Sequence, residues 1–189
     1  MIEEDIMPSP CTWEWLRAHD LAVIDCAVIR TPEMMQAYNQ HRADLTARGI
    51  SGVDDILAQM NARMAEVGTF IARDDRTSIS YRGVLDINLF PYWLESGIEH
   101  YIWWRLPGTS DSMYHVKNEV SYQMWHRYAT TGDEKYNIAG DRDNIVVFEN
   151  TDARKSIPIP HYHIFVRHSR AIPVAATDSV IKDTLAILQ

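Results

Sequence analysis

The sharpest chemical feature of the sequence is His161-Tyr162-His163. On a strand, residues two apart share a face, so both imidazoles sit side by side, with Phe165 continuing that face. Paired imidazoles can ligate a metal. Alternatively, one can attack an electrophile or move a proton while the other hydrogen-bonds. Two strand histidines packed on a polar wall are the commoner fate of an isolated H-x-H. Here Ser156, Pro158 and Pro160 lead in and Arg167 follows, which weighs toward chemistry. A second group is Asn88 to Tyr92, followed by Gly97 to His100. Asn88 offers a donor and an acceptor, suiting sugar hydroxyls or a backbone clamp. His100 falls on a segment able to pair with the His161 strand. Phe90, Tyr92, Trp93, Trp103 and Trp104 read first as core. Asn150 ends a strand just before the H-x-H approach and could orient a ligand. Arg154 and Lys155 could meet an anion there, although exposed loop cations are usually only solvated. Glu119 and His126, seven apart on a helix, read equally as a surface stripe or as part of a metal cluster with His115. Asp141 and Asp143 lack the glycine and terminal Glu of a calcium loop and read as a turn.

The elements that must position these residues follow from pattern. Thr12 can cap a short helix, TWEWLRAHD. The apolar run LAVIDCAVIR fits either strand or helix. Thr31-Pro32-Glu33 is a helix start, with a capping hydroxyl, Pro at the first position and an acid in the first turn. That helix runs to Gly49, and another begins at Ser51 or Gly52. SISYRGVLDINLFPYW reads as a strand followed by an extended stretch, and IEHYIWWRL as a strand. VKNEVSYQMWHRYAT reads as a helix, NIAGDRD as a polar turn, DNIVVFEN and HYHIFVRH as strands. Thr177 caps a last helix. The fold class is therefore α+β: a helix-rich part over residues 1–75 packed on a mainly antiparallel sheet within 78–189, one domain of 189 residues in all.

Composition narrows the function. Hydrophobic residues at 46% and charged residues at 23% are those of a globular chain, which argues against disorder. The formal net charge of −8, without a basic cluster, disfavours nucleic acid as a partner. Cys11 and Cys26 supply neither a disulfide framework nor metal-ligand spacing, fitting a reducing compartment. No run approaches the roughly 20 apolar residues of a membrane span. The acidic start, MIEEDIMPSP, is unlike a signal peptide. A cytoplasmic location and no membrane partner are expected. Phosphate-cradling glycine loops, H-E-x-x-H and G-x-S-x-G are absent.

Three segments carry a resemblance: N-x-F-P-Y at Asn88–Tyr92, E-H-Y-x-x-W at Glu99–Trp104, and S-x-P with H-x-H-x-F-V-R from Ser156 to Arg167. Over about residues 80–168 the chain resembles the fungal N-acetylglucosamine-induced protein family, a domain of poorly defined function. TPEMMQAYNQH extends that likeness loosely. The same segments resemble a divergent histidine-triad fold. That resemblance implies a nucleotide-binding Asn at Asn88, polar lead-in residues at Asn150 and Ser156, and a nucleophilic histidine that forms a nucleotidyl intermediate. In one register His163 is the nucleophile, His161 the first histidine, and Phe165 stands in place of the third. In the other, His161 is the nucleophile, His163 the third histidine, and Ile159 replaces the first. The Ser156 spacing favours the second register and the Asn150 spacing the first.

The leading expectation is an enzyme, a hydrolase or transferase, acting on a nucleotide or nucleotide-sugar phosphoanhydride. His161 and His163 are its catalytic residues. Asn88, Tyr92, His100, Asn150, Ser156 and Arg167 bind the small-molecule ligand. This chemistry needs no cofactor, and the resemblance implies a homodimer. One alternative is an acid–base biosynthetic enzyme with an aromatic pocket of Tyr81, Tyr92, Trp93, Tyr101, Trp103, Trp104 and Trp125. Another is a metalloenzyme in which His161 and His163 bind a divalent metal, completed by His100, Glu99 or Glu149. A third is a non-catalytic small-molecule sensor.

Overall fold

The computed structural model describes residues 7–71, 83–155 and 157–168 apart from positions 28, 107 and 110. Tyr81, Ser156 and the helix expected after Thr177 fall outside the described residues. The α+β class holds, with a helical N-terminal part and a five-stranded mixed sheet.

Local signals start most helices. Thr12 Oγ1 accepts from Trp15 N–H at the head of α1 (Trp13–Ala18), and Thr31 Oγ1 accepts from Met34 N–H at the head of α2 (Pro32–Ala47). Ser51 Oγ does the same for Asp54 N–H as α3 (Gly52–Ile71) begins. The helix α4 (Met113–Thr131) starts three residues earlier than its apolar spacing suggests, because Ser112 caps it. It ends on Gly132 in the left-handed conformation, φ 68°.

The expected polar turn NIAGDRD is corrected. Its first four residues complete α5 (Glu134–Gly140), capped by Asp133, and only Asp141 to Asn144 turn. The polar composition hides the reason for the helix, which is tertiary. Ala139 and Gly140 are buried, and a Cβ on Gly140 would lie 2.8 Å from the Trp125 ring. Ser121 Oγ also donates to the Gly140 carbonyl. The ambiguous run LAVIDCAVIR resolves as extended chain around a two-residue strand, β1 (Val23–Ile24).

The remaining strands are β2 (Gly83–Ile87), β3 (Ile98–Arg105), β4 (Ile145–Asn150) and β5 (His161–Arg167), and the sheet order is β1-β4-β5-β3-β2. Only β1 and β4 run parallel. Asp20 secures that junction, accepting from Val147 N–H at 3.0 Å and from Lys117 Nζ at 2.5 Å. β5 lies between β4 and β3, so its period-two alternation sorts side chains onto two covered faces. Tyr162, Ile164 and Val166 meet Val116, Val120 and Met124 of α4. Phe165 joins the opposite core with Phe148, Tyr92, Trp13 and Leu16. Next to it Met60 of α3 packs on Ile102 and Trp104. Among the described residues no helix is long and apolar enough to cross a membrane.

Ile164 sits at the centre of the first core with no exposure. Truncation to alanine removes buried methylenes and leaves a cavity. Ile164→Ala should therefore cost about 2–5 kcal/mol in urea unfolding with an unchanged denaturant slope. A loss below about 0.5 kcal/mol would contradict this packing.

Candidate functional site: a buried histidine network

The register of β5 against its neighbours builds the site. His163 is opposite Ile102 on β3 and Phe148 on β4, Phe165 is opposite His100, and His161 is opposite Trp104. These side chains share one face. His100 and His163 therefore approach each other diagonally, with His100 Nε2 3.0 Å from His163 Nδ1. Tyr92 and Asn150 close the group: the Tyr92 hydroxyl is 3.1 Å, and the Asn150 amide 3.0 Å, from His163 Nε2. His100, His163, Tyr92 and Asn150 are all buried.

The proton positions can be deduced from one end. The Tyr92 backbone N–H lies 3.3 Å from His100 Nδ1 and can only donate, so Nδ1 carries a lone pair. The Asn88 amide nitrogen, 3.2 Å away, adds a second donor. Neutral His100 then bears its proton on Nε2 and donates to His163 Nδ1. Neutral His163 must in turn donate from Nε2. The acceptors there are the Tyr92 hydroxyl oxygen and Asn150. With Asn150 Nδ2 turned toward them, Oδ1 is a buried acceptor without a partner among the described residues. The proton order assigns the opposite rotamer, in which Oδ1 accepts from His163 Nε2–H. Asn88 itself bridges His100 and the Phe90 N–H, which donates to its Oδ1 at 2.9 Å, so it serves as a backbone clamp.

Burial holds His163 and His100 neutral. Desolvation pushes both pKa values well below the usual imidazole range. Arg30 and His161 add to this at His100, and His100, His161, Arg30 and Lys155 add to it at His163. Burial also raises the Tyr92 phenol.

His161 differs from His163. Its Nδ1–H donates to the Ile159 carbonyl at 2.7 Å, and its ring lies 4.9 Å from that of Trp104. Nε2 consequently holds the lone pair, and it has no hydrogen-bond partner among the described residues. Burial lowers the His161 pKa, the Ile159 carbonyl offsets part of that, and the Lys155 ammonium lowers it further. Of the two H-x-H imidazoles, only His161 has a ring nitrogen without a partner among the described residues.

Several expected members lie elsewhere. Arg167 is at the far end of β5, with its guanidinium 4.9 Å above the Trp13 ring and donating to Asn144. The proposed aromatic pocket is not assembled. Tyr101 and Trp103 point to the α4 face, Trp93 and Trp125 are exposed, and of the described members of the set only Tyr92 and Trp104 accompany the histidines. Trp93 is also corrected as a core residue. The carboxylates suggested as metal ligands are committed. Glu99 is 2.6 Å from His168 Nε2 and accepts from the Tyr101 hydroxyl. Burial raises its carboxyl, but His168 and Tyr101 outweigh this and bring it down to about 2. Glu149 pairs with Lys155 at 2.8 Å, and Lys155 also meets Asp152. Among the described residues no three His, Cys, Asp or Glu side chains are arranged to hold a metal. Cys11, its thiol pushed up to about 12 by burial first and then by Cys26 and Glu95, is a core residue beneath the site. Arg30 was missed by pattern reading. It ends the ambiguous apolar run and packs on Tyr92, and its only sequence signal is a lone cation before a helix cap.

The fold and site define an α+β protein organised around a buried, neutral imidazole pair next to a third imidazole whose Nε2 has no partner among the described residues. The chain belongs to the family described as protein of unknown function DUF3605, whose profile matches residues 20–167. No curated protein matches it. A solved structure described as the crystal structure of HTC1 is similar with a TM-score of 0.44 and 15% identity, covering 93% of this chain and 96% of that one.

A histidine whose folded pKa lies below its unfolded value near 6.5 binds fewer protons folded than unfolded, so stability is full above that value and falls as pH drops. Each of His100 and His163 should remove up to about 1.4 kcal/mol per pH unit below pH ~6.5. Glu99, with its depressed pKa, acts in a lower window, from its usual 4.5 down to about 2. In urea unfolding at pH 7.5, 6.5 and 5.5, His100→Gln should flatten the acid loss while Glu99→Gln leaves it intact. Equal slopes in wild type and His100→Gln would show that the pair does not stay neutral.

Proposed function

We propose that this protein is a hydrolase or transferase acting on a nucleotide or nucleotide-sugar phosphoanhydride, with His161 as its nucleophile. The supporting observation is the fixed tautomer of His161: Nδ1–H is held by the Ile159 carbonyl, and the Nε2 lone pair has no partner among the described residues. Nε2 attacks the α-phosphorus, a nitrogen–phosphorus bond forms, and the phosphorus–oxygen bond to the leaving phosphate breaks, its electron pair departing with that phosphate. The positive charge on the imidazole is shared with the Ile159 carbonyl through Nδ1–H. Water or an acceptor hydroxyl then takes the nucleotidyl group, losing its proton to solvent, and restores neutral His161.

This reading follows the register in which His163 stands third in a histidine-triad-like strand. His163 is a positioning residue, because both its nitrogens are occupied. His100, Tyr92, Asn150 and Asn88 position it in turn. A second reading keeps His161 as an acid–base group for a small organic substrate, favoured by the apolar wall of Trp104, Ile102 and Met60 beside it.

The two readings separate on a covalent adduct. A panel of nucleoside diphosphate sugars and dinucleoside polyphosphates, followed by intact-protein mass spectrometry after rapid quench, should reveal an acid-labile, alkali-stable nucleotidyl adduct on His161. His161→Ala should lose turnover by about 10³-fold or more and carry no adduct. Wild-type turnover in both His161→Ala and His163→Ala would remove both readings. Turnover lost without any adduct would leave acid–base catalysis.

A further inference from the structure

Beyond the histidines, the most unusual charge in the protein is Arg30. Its Nε donates to the Phe90 carbonyl at 2.9 Å, fixing the guanidinium plane. The guanidinium carbon is 5.0 Å from the Tyr38 ring centroid and 5.2 Å from that of Tyr92, so two aromatic rings flank it. Among the described residues no carboxylate pairs with it, and its two Nη groups have no hydrogen-bond partner there. Desolvation works against its charged form, and the Tyr92 and Tyr38 side chains offset part of that. A half-buried guanidinium with no counter-ion among the described residues is a group that proteins ordinarily pair. Nearby charge does not answer it. Arg42 adds a second cation at 5.7 Å from the Tyr38 ring.

We infer that Arg30 is the centre of an oxyanion-binding site, its free Nη edge taking a phosphate or carboxylate group of a ligand in a two-point hydrogen bond. The guanidinium fork matches two oxygens of either group, whereas an ammonium does not. The Phe90 carbonyl and the two rings hold the fork in place before the ligand arrives, reducing the ordering cost of binding. The site lies on the Tyr92 side of the histidine network and stands whether or not His161 performs nucleotidyl transfer.

The test uses the full chain with inorganic phosphate and acetate as probes, and sodium chloride at matched ionic strength as control. Isothermal titration should give saturable one-to-one binding to wild type. A stronger response to phosphate identifies a phosphoryl ligand group, and a stronger response to acetate a carboxylate. Arg30→Met should bind about tenfold or more weakly, and Arg30→Lys should fall between, because it keeps the charge without the fork. Near-ultraviolet circular dichroism reports whether each variant is folded, and the wild-type and Arg30→Lys titrations stand if Arg30→Met does not fold. No saturable binding of either probe by wild type overturns the site, as does wild-type affinity in a folded Arg30→Lys or Arg30→Met variant.

Discussion

The backbone N–H of Tyr92 directs the histidine network. It cannot accept a hydrogen bond, so it fixes the lone pair of His100, and through His100 the tautomer of His163. In a low-dielectric interior a polar chain of this kind is stabilising only when every member is satisfied in the same sense. The amide is held in place by the loop that carries it. Cys11 N–H donates to the Trp93 carbonyl, Glu95 N–H donates to the Cys11 carbonyl, and Trp93 N–H donates to the Ile29 carbonyl. The segments around Cys11 and Ile29 are thus part of what orders protons on the distant sheet.

The sheet separates two kinds of electrostatics. On the face shared by His100 and His163, burial keeps imidazoles uncharged. On the other face, Glu99 and His168 form a close pair supported by the Tyr101 hydroxyl. The alternation of β3 places Glu99 and His100 on opposite faces although they are neighbours in sequence. The separation lets one strand carry a charge-bearing pair and a neutral network without the carboxylate pulling a proton onto His100.

The periodic elements were legible because their signals are local. Thr31 and Pro32 announce α2 by hydroxyl capping and a fixed φ, and the alternation of β5 follows from His161, His163 and Phe165 against Tyr162, Ile164 and Val166. Asn88, Tyr92, His100, Asn150, His161 and His163, singled out by residue type, do converge: pattern placed the strands, and the register that brings the side chains together comes from the fold. What failed was non-local. Helix α5 depends on Trp125 covering Gly140, and Arg167 looked close in sequence but lies at the wrong end of its strand. Spacing also treated His161 and His163 as equivalent, because their difference resides in a carbonyl at Ile159 and an amide at Tyr92. Arg30 escaped notice because its setting between two aromatic rings, with no carboxylate partner among the described residues, emerges only from the tertiary structure.

The parallel junction between β1 and β4 also sets an order of events during synthesis. Asp20 and Val147, which meet through a hydrogen bond, are 127 positions apart. At about 5–20 residues per second, the ribosome needs roughly 6–25 seconds to supply β4 after β1. Throughout that interval Leu16, Ile24 and Cys26 lack Phe148 and Phe165, the partners that later bury them. Until β4 and β5 emerge, these apolar side chains therefore wait without the partners that complete their core.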